Sequence, residues 1–219
     1  MERTVHLVRH GRTAWNRVHR TMGWRDEPIE DDQRAAAEAV AARLAPGLGD
    51  AGPPGHGAGR ARVLSSPVRR AVQTAGPTAA ALEVDVELDE RLGELRVGSW
   101  EGLLESEVAE QHPEAWATWR SSPHTLELEG RETLDALYGR VGDLLDELSA
   151  DAASAHRPVV AFTHDAVVRA AVAWAVGAGP TSYRSIEVAN CSLTTLAVGE
   201  GRRRLVRAND TCHLGPGVG

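Results

Sequence analysis

The chain has 219 residues, 42% of them hydrophobic and 25% charged, the size and balance of one large folded domain and not of a disordered chain. All 24 basic residues are arginine and the net charge is -7, which excludes lysine Schiff-base chemistry and a lysine-bearing P-loop and argues against nucleic acid as a partner. No apolar run nears a membrane span and the opening MERTVHLVRHG lacks a signal peptide's apolar core, so a cytoplasmic protein with no membrane partner is expected.

In chain order, residues 4–9 run into Val5, Leu7 and Val8 and predict a first strand. Residues 31–45 predict a helix with acids in its first turn and Pro46-Gly47 as its stop. The Gly/Pro-rich stretch 49–60 reads as a flexible surface loop. A short strand follows at 62–65, a helix from Pro67 to about Leu82, and a third strand at 84–88. Helices are predicted at 103–111, 113–120 and 132–150, a buried strand at 159–163, a helix at 165–176 and a closing strand pair at 193–198 and 204–208. This alternation predicts a three-layer, doubly wound α/β fold in a single domain over residues 1–219. Its sheet should be mostly parallel, with helices on both faces.

Three predicted strands end in turns rich in arginine or histidine: Arg9-His10-Gly11-Arg12-Thr13, Ser65-Ser66-Pro67-Val68-Arg69-Arg70 and Thr163-His164-Asp165. Ligands of open α/β sheets bind outside the carboxyl ends of the strands. A crevice holding two histidines and several arginines suits a phosphoryl group, with guanidinium forks for its oxygens and an imidazole for its phosphorus. Gly11 would let the backbone approach closely. Cys191 and Cys212, the only cysteines, form neither a disulfide framework nor a CxxC metal site. His6 and His10, four residues apart in a strand, stand about 13 Å apart along the backbone and make a poor metal pair.

Arg9-His10-Gly11-x-Thr13-x-x-Asn16 resembles the signature of the histidine phosphatase superfamily, the phosphoglycerate-mutase-like proteins. The resemblance continues through Ser65-Ser66-Pro67-x-x-Arg70, Glu94-x-x-x-Gly98-x-Trp100-Glu101-Gly102, His164 with Arg169, Asn190-Cys191-Ser192 and a tail reaching Leu214. It implies a phosphomonoesterase acting on a small soluble phosphate ester without metal or other cofactor. His10 would be the nucleophile and Glu94 the proton donor, with Arg9, Arg70 and His164 binding phosphoryl oxygens and Asn16 assisting. Two departures bear on substrate: Asp165 stands where the family usually has glycine, and Gly130-Arg131-Glu132-Thr133 replaces a frequent Gly-Gly-Glu-Ser.

Thr13, Gly11, Asp165, Arg12, Trp24 and Arg131 are the further substrate-binding candidates, Arg12 and Trp24 as part of an arginine-tryptophan rim. Trp116 and Trp119, three apart on a helix, read as core, and Arg202–Arg204 as a solvated charge run. A phosphoglycerate mutase is the first alternative and a catalytically silent phosphate-binding module the second. A homodimer is the default assembly.

Overall fold

The computed structural model describes residues 2–48, 61–151, 157–199 and 201–215. Strand β1 (Glu2–Arg9) is followed by α1 (Ala14–Arg17), α2 (Gln33–Leu48), β2 (Arg62–Ser65), α3 (Arg69–Leu82) and β3 (Val86–Leu88). Next come α4 (Glu105–Gln111), α5 (Pro113–Ser121), α6 (Leu134–Ala150), β4 (Val159–Thr163), α7 (Asp165–Val176), β5 (Leu193–Gly199) and β6 (Arg202–Asp210). The sheet order is β3-β2-β4-β1-β5-β6. Pairings from β3 to β1 are parallel, and β5 and β6 continue the sheet antiparallel. The expected α/β layering is therefore present, with an antiparallel edge on a parallel sheet.

Both sheet faces are covered, which is why β1 and β4 read as near-continuous apolar runs. Val5, Leu7, Val159 and Ala161 join a core with α6 and α7, while Val8, Val160 and Phe162 face α2 and α3. Phe162 is fully buried, and its truncation to alanine should cost about 3–5 kcal/mol. A third, smaller cluster of Trp100, Val108 and Leu126 joins the α4–α5 segment to the body. No helix among the described residues is long and apolar enough to cross a membrane.

Several boundaries move for identifiable reasons. Helix α2 continues through Pro46 because Leu48 is drawn into the core, and Asp31 and Asp32 lie before the helix instead of in its first turn. Helix α3 starts at Arg69, since Val68 is extended with its N–H on Ser66 Oγ. Val84 is taken from β3 by the end of α3: Glu83 turns left-handed (φ 52°) and the Val84 N–H returns to Ala79 O. Strand β6 reaches back to Arg202, placing the exposed arginine run within a strand. The stretch 49–60 lies outside the described residues.

Candidate active site

Parallel strands β1, β2 and β4 bring their carboxyl ends to one edge. There the His10 N–H bonds Thr163 O and the Ser66 N–H bonds Phe162 O, lacing the three turns together. His10 is buried, and its Nδ1 meets Gly11 O at 2.8 Å. Its Nε2 accepts the Arg70 Nε–H at 3.2 Å. Nδ1 must therefore carry the proton, leaving the lone pair on Nε2. Burial, followed by the Arg70 and Arg9 charges, holds this imidazole well below its ordinary pKa and hence neutral. A neutral imidazole with a fixed Nε2 lone pair is a competent nucleophile.

Cations surround it. Arg70 is fully buried, with its terminal nitrogens on Arg25 O and Gly23 O at 2.9 and 2.7 Å. Burial pulls its pKa down to about 10, which still leaves it charged at neutral pH. Arg9 donates to Val188 O at 2.5 Å and lies 3.7 Å from Asp165. The His164 ring lies 5.1 Å from that of His10, centroid to centroid, and its Nε2 meets Ser66 Oγ at 2.8 Å. Ser66 Oγ also accepts the Val68 N–H. His164 Nδ1 and Arg9 Nε are buried nitrogens without protein partners, and an anion bound beside them would meet otherwise unsatisfied polar groups.

Glu94 supplies the complementary chemistry. Burial first, and Asp165 second, raise its pKa to about 7, so near neutrality it can either donate or accept a proton. Its backbone is held by Trp24 Nε1 and an Arg140 N–H on Glu94 O, at 2.7 and 3.3 Å. Arg140 is itself paired with Glu132 at 2.6 Å. Asp165 is held by Arg169, at 2.6 and 3.2 Å. Burial pushes the Cys191 thiol up to about 12, which removes it as a rival nucleophile.

Residues 5–211 match the profile of the histidine phosphatase superfamily (branch 1). The chain belongs to this superfamily. Its relatives named as phosphatases place it among the histidine-type phosphatases, the phosphoric monoester hydrolases of the superfamily. Among similar proteins is phosphoserine phosphatase 1 of Hydrogenobacter thermophilus, 30% identical over 95% of this chain and 93% of that one. The glucosyl-3-phosphoglycerate phosphatase of Mycolicibacterium vanbaalenii is 30% identical over 80% of this chain and 75% of its own. Among solved structures, a protein described as mycobacterial hydrolase 1 superposes with a TM-score of 0.82 at 27% identity, covering 96% of this chain and 99% of that one. A mycobacterial glucosyl-3-phosphoglycerate phosphatase complexed with VO3 gives 0.79 at 27% identity, covering 95% and 100%.

In this histidine phosphatase the cleft above His10 has a volume of about 850 Å³, its open mouth included. Arg9, His10, Glu94, Asn16, Asp165 and Arg131 line it, and Arg70 and His164 lie buried beside His10. Asn16 spends its Oδ1 on Thr13, which leaves its amide NH2 as the end that can meet a ligand.

Four substrate-binding candidates do not reach the cleft. Arg12 turns away to Glu30 and Asp32 at 2.9 and 2.8 Å. Thr13 is fully buried and caps α1. Gly11 gives its N–H to Thr74 Oγ1, and a Cβ there would press on Gln33 and Ile29 at 3.3 Å, so its smallness serves packing. Trp24 lies against Gly93 and fastens Glu94 from outside.

Conversely, Trp116 and Trp119 are wall residues as well as packing residues, together with Trp100, Tyr183 and Met22. Tyr183 arrives from a segment with no motif, and only its place sixty-odd residues beyond Trp119, 5.5 Å away in space, makes it part of the site. The Asp165/Arg169 spacing of four was the legible sign of a helical ion pair.

Proposed function

We propose that the protein hydrolyses a small phosphorylated metabolite through a phosphohistidine on His10 Nε2. The observation that carries this reading is the pair of opposed hydrogen bonds on His10, which fix its proton on Nδ1 and its lone pair on Nε2. That lone pair attacks phosphorus, and the Arg70 Nε–H passes from Nε2 to a phosphoryl oxygen. The ester P–O bond breaks and Glu94 protonates the departing alkoxide. Water then attacks the phosphohistidine and gives its proton to Glu94, so that the P–N bond breaks and phosphate and His10 are released. Arg9 and Arg70 neutralise the equatorial oxygens and the neutral His164 adds a hydrogen bond, which is most of what phosphoryl transfer asks of a protein and makes a metal unnecessary.

The open cleft and the phosphatase names of the relatives favour water over a second alcohol as acceptor. Retention of His10, Arg70, Glu94 and His164 together speaks against a silent module. The test is phosphate release from 3-phosphoglycerate and p-nitrophenyl phosphate, with mass spectrometry for acid-labile phosphate on His10. Isomerisation of 2- to 3-phosphoglycerate with negligible phosphate release would overturn the reading. A cytoplasmic homodimer is the proposed context, checked by light scattering of the purified protein.

A further inference from the structure

Arg131 is left over after the phosphoryl machinery is accounted for. It lines the same cleft, yet it makes no ion pair among the described residues, whereas Arg9, Arg12, Arg91, Arg140 and Arg169 each meet a carboxylate. Its NH1 donates to Leu126 O at 2.6 Å and its NH2 reaches Pro123 O at 3.5 Å, two of the five N–H groups of a guanidinium. Its Cζ lies 5.2 Å from the Trp119 ring centroid. The head group is thus held in place by carbonyls and an aromatic ring, without a counter-charge.

The backbone beneath it is equally fixed. Arg131 bridges Val97 and the Glu132 N–H bonds Arg96 O. Gly98 (φ +60°) packs so closely that a Cβ would meet Glu129 O at 2.3 Å. The same bridge ties Arg131 to the segment that carries Glu94. Burial pulls the Arg131 pKa down, as expected for a cation removed from water without a partner. Arg70, in the phosphoryl cradle, likewise gives its terminal nitrogens to carbonyls and not to a carboxylate.

We infer that Arg131 is a second anion site in the cleft, and that it selects phosphate esters whose leaving group carries a carboxylate. The inference rests on the phosphatase reading above and names the substrate class for that site. A planar fork with free N–H groups matches a planar carboxylate. The cleft wall also carries Glu105 and Asp165, so a second group with two negative charges would face repulsion that a singly charged carboxylate largely escapes. Arg20 is the rival cation in the wall. It is held by one carbonyl, Gly102 O, against the two that fix the Arg131 head group, and lies 5.6 Å from the Trp15 ring centroid.

The experiment compares kcat/KM for 3-phosphoglycerate and glycerol 3-phosphate, which differ by a carboxylate in place of a hydroxymethyl group, with p-nitrophenyl phosphate as the probe of phosphatase chemistry. The wild-type enzyme should prefer 3-phosphoglycerate by about 10- to 100-fold, the range for hydrogen bonds to a charged group. Arg131→Met should bring the ratio of the two esters near one, and Arg131→Lys should give an intermediate ratio. A wild-type enzyme that turns over p-nitrophenyl phosphate without preferring the carboxylate ester overturns the second site and leaves the phosphatase reading standing. Collapse of the ratio in Arg20→Met but not in Arg131→Met overturns the assignment to Arg131. No turnover of any of the three compounds overturns both readings.

Discussion

Arg70 Nε donates to His10 Nε2 across 3.2 Å, while Nδ1 on the other side of that imidazole is bound to Gly11 O at 2.8 Å. In the proposed reaction, cation and nucleophile are thus in register before an ester arrives, and such preorganisation lowers the cost of the step. Arg70→Lys loses the contact with His10 and at least one of the bonds to Gly23 and Arg25, since an ammonium cannot reproduce the fork. The expected outcome is a loss of at least ~10²-fold in kcat/KM, with weaker vanadate inhibition in parallel, and His10→Ala should abolish turnover. Near-normal rates in the lysine variant would move the role to its exposed neighbour Arg69.

Glu94 should divide substrates by leaving group. With its pKa raised to about 7, the protonated form dominates below that value and is lost above it. The ratio of kcat/KM for glycerol 3-phosphate to that for p-nitrophenyl phosphate should therefore fall as pH rises through 7. Glu94→Gln should cost ~10²- to 10⁴-fold on the poor leaving group and much less on p-nitrophenyl phosphate. An equal loss on both would remove Glu94 as the acid.

Asp165 is expected to act on that acid from beside it. Its charge is the second cause of the raised Glu94 pKa, so Asp165→Asn should move the alkaline limb of the pH profile to lower pH. Well below pH 7 the variant should keep nearly the wild-type ratio between the two substrates. Should Asp165→Asn show the leaving-group-dependent loss there, and Glu94→Gln not, the acid is Asp165.

Trp24 is expected to be a positioning residue. Trp24→Phe keeps the ring against Gly93 but removes the N–H that holds Glu94 O at 2.7 Å. A loss of roughly 3- to 10-fold, the cost of one hydrogen bond, should appear with glycerol 3-phosphate and not with p-nitrophenyl phosphate. A uniform loss on both would instead indicate disturbed packing.

Stability should rise with pH on the acid side of neutrality. His10 and His164 are held well below the ordinary 6.5, so as pH falls through about 6.5 the unfolded chain takes up protons that the native protein refuses. Glu94 opposes this. Its folded pKa lies above the ordinary 4.5, so its contribution is complete below about 4.5 and fades toward 7. Urea midpoints should therefore climb from pH 5 to 6.5, and climb more steeply in Glu94→Gln. A flat profile in both proteins would mean that the histidines are not buried as described.

The three turns were legible because each follows a strand whose apolar run is unmistakable: Val5, Leu7 and Val8 before His10, and Val159 to Phe162 before His164. Arg12 and Trp24 were misplaced for the opposite reason. Their partners, Glu30 and Asp32 for one and Glu94 O for the other, lie elsewhere in the chain, and local sequence does not say which way a long side chain turns. Trp119 illustrates a related limit. Helical spacing identified a shared face with Trp116 but not whether that face meets core or cleft, and here it meets both. Val84 looked like strand because it is β-branched, yet the hydrogen bond that ends α3 claimed it.

The central position of β1 has a consequence for how the protein is made. This strand is synthesised first, but its neighbours in the sheet are β4 and β5, and the N–H groups that bind Arg9 O and His10 O come from Asn190 and Cys191. At ribosomal speed the strand emerges on the order of 10 to 30 s before β4 does. Throughout that interval Val5, Leu7 and Val8 have no sheet to enter, so the nascent chain carries an unpaired apolar edge that other chains can capture. His10 is translated long before the residues that hold its backbone, so the growing chain is expected to lack phosphatase activity until β5 has left the ribosome.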